Sequence, residues 1–411
     1  MPRVLYLSYD GITDPLGQSQ ILPYIIGLSK RGYSFTLISF DKVNRLKDKQ
    51  KLIAAQLTDY PIKWIPLIYH KRPAVVSTLY DLFLLRQKAN SLMKQNRYEI
   101  VHCRSYLTML IGLHLKKKYR TKLVFDMRGF WADERVEGGI WNVENLVYNY
   151  IYQYFKYQEK QFLKQADCII SLTQSAKEEM GIWERTEGKF APIEVIPCCA
   201  DLGLFDRKKV AMEQVSLVKN ELGIMPEHLT LLYLGSIGTW YMLKEMLAFY
   251  GVLLQYRPKS RFLIITRDSP KQIRVLAKRM NIPIDKLIIT SAERDALPSY
   301  VAVAHLSVFF IRPVFSKKAS SPTKQGELMA MGIPIICNAG VGDTAKIIQK
   351  TEAGAVIANF TTSSYQSICE NLDRILAIPE KEIRSGAQQF FSLENGVESY
   401  SQVYEKLLCV S

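Results

Sequence analysis

The chain has 411 residues, 48% hydrophobic and 23% charged, a globular composition long enough for two domains with a core each. Its net charge is +15, and residues 1–125 alone hold 21 Lys and Arg against 7 Asp and Glu, so the basic excess sits almost wholly at the N-terminal end, where it is either a solvated surface or suited to an anionic partner. Seven irregularly spaced cysteines give no disulfide framework, the start has no signal-peptide pattern, and the longest apolar run (107–115) is too short to span a bilayer, so a reducing cytoplasm is expected.

Val4 to Ser8 reads as a buried strand that runs into a glycine loop, Asp10 to Gln18. A helix is expected from about Ser19 to Lys30 and a second strand over 34–39. Strands at 62–68, 100–103, 122–127 and 168–172 then alternate with helices at about 78–96, 106–119 and 145–165. This alternation predicts a doubly wound α/β domain whose ligands gather at the carboxyl ends of parallel strands. Val195 to Pro197 reads as a further strand, and Cys198 to about Leu217 as a linker.

The pattern then restarts. Strands are expected at 229–235, 261–266, 287–290, 306–311 and 333–337, with helices at 241–254 and 270–280. The expected division is an N-terminal domain over 1–200 and a C-terminal domain over 201–392. A last helix, about 393–411, is expected to return to the first domain, and the two Rossmann-like domains to face each other across a cleft.

Residues 320–344 are the most informative segment. Ser320 to Thr323 reads as a loop, Lys324 to Met331 as a helix, Gly332 and Pro334 as a break, and Gly340 to Asp343 as a second glycine loop. A helix start after a polar loop offers unpaired N–H groups and the positive end of a dipole, which suits a phosphate. Glu327, one turn in, is placed to accept both hydroxyls of a ribose. Lys324 shares its face, where it forms either an i,i+3 ion pair or a phosphate contact.

Taken together and in order, several segments resemble the retaining glycosyltransferases of the GT-B fold, in particular the large family 4 group. They are Leu5 to Ser8 with its loop, Ala166 to Thr173, Val195 to Pro197, Tyr233 to Ile237, and Ser321 to Asp343. The resemblance implies a nucleotide-diphosphate sugar, most commonly a UDP-sugar, held mainly by the C-terminal domain, and a saccharide or lipid-linked acceptor held by the N-terminal one. It implies no metal and no cofactor beyond the donor. Typical members carry two glutamates; the second matches Glu327, and the first would fall at Ala319, so it is absent. The usual Arg and Lys that hold the diphosphate would fall at Ser236 and about Tyr241, which leaves Lys324 and Arg312 as the nearest substitutes, with Lys244 a weaker third.

The expected donor site therefore takes Glu327, Lys324, Thr323, Arg312, Gly235, Ser236, Gly17 and Asp343. Gly17 would let backbone approach the phosphates, although a loop glycine alone is ordinarily a turn. Where the family often has a histidine near the reacting sugar, this chain places Arg128. Arginine is no base at neutral pH, so Arg128 either binds an anionic group or sugar oxygen, or pairs with an aspartate to fix its loop. Asp126, Arg128 and Lys324 form the catalytic expectation, with Asp10, Asp14, Gln18, Asp133 and Glu134 on the acceptor side. The aromatic stretch 148–157, with Lys116 to Lys118 and the 42–51 lysine run, is read either as core packing or as one surface resting on an anionic membrane; no nucleic acid is expected. Two rival functions remain in view, a GT-B nucleotide-sugar 2-epimerase and a non-catalytic protein that binds a nucleotide-sugar or another anion.

Overall fold

Every strand ladder in the described part of the chain, residues 1–409 of this computed structural model, is parallel. Parallel sheets are covered on both faces, which is why their strands read in the sequence as short continuous apolar runs. The chain divides into two units, Met1–Pro197 with Leu393–Ser411, and Cys198–Ser392.

In the first unit the strands are β1 (Arg3–Ser8), β2 (Ser34–Asp41), β3 (Ile62–Ile68), β4 (Ile100–Arg104), β5 (Lys122–Asp126), β6 (Cys168–Ser171) and β7 (Ile193–Val195). They form one sheet in the order β3-β2-β1-β4-β5-β6-β7. The connecting helices are α1 (Pro15–Gln20), α2 (Leu22–Lys30), α3 (Val43–Leu57), α4 (Val76–Gln95), α5 (Ser105–Tyr119), α6 (Trp131–Glu137), α7 (Leu146–Gln165) and α8 (Gln174–Glu187). Strand order reverses direction after β3, so right-handed crossovers put α2 and α3 on one face, and α4, α5 and α7 on the other. Packing of α5 against both α4 and α7 fits that layer.

Two local differences from the sequence reading have clear causes. The first helix starts at Pro15 and breaks at Ile21, because Pro15 and Pro23 each begin a helix at the place where a missing N–H costs nothing. The 42–51 lysine run belongs to α3, which buries only Ile53 and Leu57 and leaves its lysines to solvent.

The second unit has β8 (Thr230–Leu234), β9 (Arg261–Ile265), β10 (Leu287–Thr290), β11 (Leu306–Phe309), β12 (Ile335–Asn338) and β13 (Gly354–Ile357), in the order β10-β9-β8-β11-β12-β13. Its helices are α9 (Met212–Glu221), α10 (Leu243–Tyr256), α11 (Pro270–Arg279), α12 (Leu297–Val301), α13 (Thr323–Ala330), α14 (Thr344–Lys350), α15 (Thr362–Glu370), α16 (Leu372–Leu376) and α17 (Glu380–Phe391). The stretch expected as a linker is instead bound to this unit from its first residue. Cys198 N donates to Ser321 Oγ at 3.1 Å and Ala200 N to Phe391 O at 2.8 Å. Arg384 caps the carbonyls of Leu202 and Phe205 at 2.9 and 2.8 Å.

The last helix, α18 (Leu393–Cys409), belongs to the first unit, where it packs on α2. Residues 410 and 411 of the expected 393–411 helix lie outside the described residues. Tyr24 meets Tyr400 edge-on at 5.5 Å, Tyr33 meets Tyr404 at 5.2 Å, and Tyr404 Oη lies 2.8 Å from His102 Nδ1 on β4.

Candidate functional site

In each unit the charged side chains gather where the strand order reverses, between β1 and β4 and between β8 and β11, at the carboxyl ends of the strands. That is where open parallel sheets leave a crevice for ligands.

In the second unit the site is built on the first two turns of α13, whose residues from Lys324 to Ala330 are all buried. Lys324 Nζ reaches the loop after β8. It lies 3.4 Å from Tyr233 Oη, 3.5 Å from the ring centre of Tyr241, 4.5 Å from that of Tyr233 and 6.0 Å from that of Phe309. Gly235 is required by this arrangement. Its φ is +129°, and a Cβ there would come within 2.6 Å of Lys324 Nζ. Burial pushes the Lys324 amine well below its ordinary range, with Glu327 pulling the other way. Glu327 is buried too, and burial raises its carboxyl group while Arg294, 3.0 Å away, opposes the shift. Arg294 comes from the segment before α12, with its guanidinium 5.4 Å from the ring centre of Phe205.

A second group of cations surrounds Trp240. Lys317 Nζ, buried in the turn before α13, lies 3.7 Å from the indole centre and the Arg312 guanidinium 5.7 Å from it. A backbone bond from Arg312 N to Trp240 O (2.9 Å) and the bridge between Tyr241 and Ile311 tie the two segments together. Asp268, beyond β9, accepts from Ile237 N at 2.6 Å and so fixes the same glycine loop.

In the first unit the strand ends bring together Tyr6, Asp10, His102, Arg104, Asp126 and Arg128. Arg104 and Asp126 are almost wholly buried. Arg104 Nε donates to Asp10 Oδ2 at 3.1 Å, and Arg104, His102 and Arg128 approach the Asp126 carboxylate at 3.5, 3.5 and 3.7 Å. Burial alone would raise Asp126, but Arg128, His102 and Arg104 outweigh it and hold the carboxyl group at about 2. Burial lowers His102, so its ring is neutral at physiological pH; it stacks on Tyr6 at 4.3 Å. Arg128 has a φ of +61° and precedes Gly129 at +137°, a sharp turn that aims the guanidinium back at Asp126.

The predicted residues divide accordingly. Lys324 and Glu327 share the α13 site with Gly235, and Thr323 begins that helix. Ser236 is exposed in the same loop, where its carbonyl accepts from Tyr233 Oη. Arg312 is an exposed residue beside Trp240, and Asp343 stands at the start of α14. Asp10 reaches Arg104, and Arg128 faces Asp126, which is the aspartate-pairing alternative of the sequence reading.

Four expectations meet a different geometry. Asp126 is not open to an acceptor, being buried under its cations. Asp133 is also buried, held by Tyr152 Oη at 2.9 Å and Lys156 Nζ at 2.8 Å, and so joins α6 to α7. Asp14 is bound by Lys42 and Arg45. Gly17 lies inside α1, where a Cβ would come within 2.2 Å of Gly11 O, so it serves close packing of the loop on itself. Gln18 Nε2 donates to Thr13 O at 3.3 Å, and Glu134 lies half-buried in the first turn of α6.

Sequence reasoning missed Arg294, Lys317, Asp268, Arg104 and Tyr404. Among the described residues no three His, Cys, Asp or Glu are grouped to hold a metal ion, and no helix is long and apolar enough to cross a membrane.

Residues 24–204 match the model of glycosyltransferase family 4. The alpha-monoglucosyldiacylglycerol synthase of Streptococcus pneumoniae is 21% identical over 259 residues, which is 61% of this chain and 54% of that protein. The chain thus matches about half the length of this curated relative. Sucrose-phosphate synthase from Thermosynechococcus elongatus shares the fold over 100% of both chains, with a TM-score of 0.73 and 16% identity. The Anabaena protein HepE, solved with UDP and glucose, covers 98% of this chain and 100% of its own at a TM-score of 0.68 and 12% identity. The fold is the two-domain α/β fold of these GT-B glycosyltransferase neighbours.

Proposed function

We propose that the chain is a glycosyltransferase that moves a sugar from a nucleotide-diphosphate sugar to an acceptor hydroxyl. The observation that carries the reading is α13, which sets a lysine and a glutamate one turn apart at the reversal point of the second sheet, against a glycine-bearing loop. In the proposed reaction the bond from the sugar's anomeric carbon to the diphosphate oxygen breaks as the acceptor oxygen bonds to that carbon, and the nucleotide diphosphate leaves, its freed phosphate oxygen taking the proton of the acceptor hydroxyl. Lys324, with Arg312 and Lys317 on the neighbouring segment, supplies positive charge for the departing anion, the contribution that usually dominates such catalysis. Glu327 accepts from the ribose hydroxyls, and Arg294 holds its carboxylate in place.

Asp126 is assigned a positioning role. A carboxyl group held at about 2 is a weak base, so it orients Arg104 and Arg128 toward the acceptor side. We assign the donor as a UDP-sugar, in keeping with the neighbour solved with UDP and glucose. The reading further takes transfer to be retaining and independent of metal and cofactor. The acceptor is taken as a lipid-linked saccharide of surface polysaccharide assembly, met at the inner face of a membrane. A basic N-terminal end and a relative named for a glucosylated lipid support that choice.

The test is Glu327→Ala in the full chain. Binding of UDP-glucose, measured by calorimetry, and sugar transfer from labelled donor into membrane extract should fall by about tenfold or more, since a buried acceptor of two hydroxyls is lost. Wild-type affinity and rate in that variant would sink the assignment. Exchange of the sugar's C2 proton without transfer would replace it with the epimerase.

A further inference from the structure

Two helices of the first unit expose apolar side chains at helical spacing. On α4 these are Val76, Leu79, Tyr80 and Phe83, with Leu79 62% and Phe83 53% exposed. The i, i+3, i+4, i+7 spacing puts all four on one face. On α7 they are Val147, Tyr150, Tyr154 and Tyr157, with Tyr150 75% exposed, again along one side of the helix. A face of this composition normally turns toward a core, and here it turns toward water.

Both ridges lie in one layer and at one end of it. α4 and α7 each pack on α5, and each starts on the side where the strands end, α4 after β3 and α7 beyond β5 and α6. That is also the edge that carries Asp10, Arg104 and Arg128. Lys116 to Lys118 are at the other end of the layer, after α5 has run back; Lys116 Nζ bonds Gln165 O at the far end of the α7 helix, about 30 Å from its start. The single surface expected from the aromatic stretch and the triple lysine therefore does not exist. α3, with the 42–51 run, is on the opposite face of the sheet.

The charge around the α4 ridge is one-sided. Lys71 and Arg72 are exposed in the turn that leads into it, and Arg86 and Lys88 are exposed one turn beyond Phe83. The only carboxylate on α4 and that turn is Asp81. It is fully buried, 2.6 Å from His70 Nδ1 and 2.9 Å from Tyr9 Oη. Glu144, just before α7, is an exposed carboxylate.

We propose that the start of α4, with the exposed side of α7 beyond α5 in the same layer, is the docking surface for an anionic lipid bilayer. Val76, Leu79, Tyr80 and Phe83 enter the headgroup boundary, and Lys71, Arg72, Arg86 and Lys88 meet the anionic headgroups. Apolar residues with tyrosines on one helical face and cations at its rim are what an interfacial helix requires. The surface adjoins the ligand edge of the sheet, so a docked protein presents that edge to a lipid-linked acceptor. The inference rests on the proposed reading only for that acceptor and on no step of transfer.

The full chain should co-sediment with vesicles of phosphatidylglycerol and phosphatidylcholine, and far less with phosphatidylcholine alone. Leu79→Ser with Phe83→Ser should lower the partition by about tenfold or more. Lys71→Glu with Arg72→Glu should remove the preference for the anionic vesicles. Unaltered melting and unaltered UDP-glucose binding would show that these exposed positions leave the fold intact. If the serine pair proves unstable, Tyr150→Ser with Tyr154→Ser serves instead. Vesicle binding unchanged by all of these would overturn the proposal, and so would a dimer in solution that the serine pair dissociates. Vesicle binding needs neither donor nor turnover, so its failure and the failure of the transferase reading are separable.

Discussion

Lys324 combines two demands that pull against each other. The aromatic rings of Tyr233 and Tyr241 attract a cation, yet the side chain is buried and the nearest carboxylate, Glu327, already faces Arg294. Burial wins, and the amine holds its proton far less firmly than an exposed lysine does. A diphosphate at the same place would oppose that shift, because it brings negative charge to the amine. Donor binding should then take up a proton at Lys324, and affinity should fall as pH rises, since the proton becomes harder to acquire. UDP-glucose is the right probe, because its diphosphate diester has no group that titrates near neutral pH. Calorimetry in two buffers of different ionisation enthalpy should give a net uptake of up to one proton per donor, and Lys324→Met should abolish it. A binding enthalpy independent of buffer, with flat affinity across pH, would show that donor binding leaves the protonation of Lys324 unchanged.

At the scale of elements, the junction of α2 with α18 depends on a close approach. A Cβ at Gly27 would meet Val397 Cγ2 at 2.5 Å, so Gly27→Ala must push the last helix outward or force Val397 from its place. A loss of about 1–3 kcal/mol in the unfolding free energy of the first unit is expected from urea titration; an unchanged midpoint would mean that α18 yields without cost. This junction also marks where the sequence stops being readable. The strands up to β12 were legible because a sheet buried on both faces writes itself as short apolar runs such as Val4 to Leu7 and Ile333 to Cys337, whereas the edge strand β13, which starts on a glycine and buries only Ile357, was not. α3 was not, since only Ile53 and Leu57 report its buried side. Lys324 and Glu327 could be found because one helical turn joins them. Arg294 could not, since it reaches Glu327 across 33 residues of chain. The Asp10, Arg104 and Asp126 group was likewise hidden, being assembled from the ends of three separate strands.

At the scale of the whole molecule, the two units are not equivalent in sequence. The second is one continuous piece, Cys198–Ser392, whereas the first needs a helix that follows the whole second unit in the chain. Without α18, the aromatic faces of Tyr24, Tyr33 and Phe35 lose Tyr400 and Tyr404, and His102 loses the hydroxyl at Nδ1. Nothing in the second sheet depends on those contacts. A chain ending at Ser392 should therefore show two separated thermal transitions, one for the second unit near its original temperature and one for the first unit shifted down by several degrees or already lost. It should also expose apolar surface to a dye such as ANS. A single transition at the original temperature would mean that the first unit holds together without its last helix, and that the contacts of Tyr400 and Tyr404 contribute little to it.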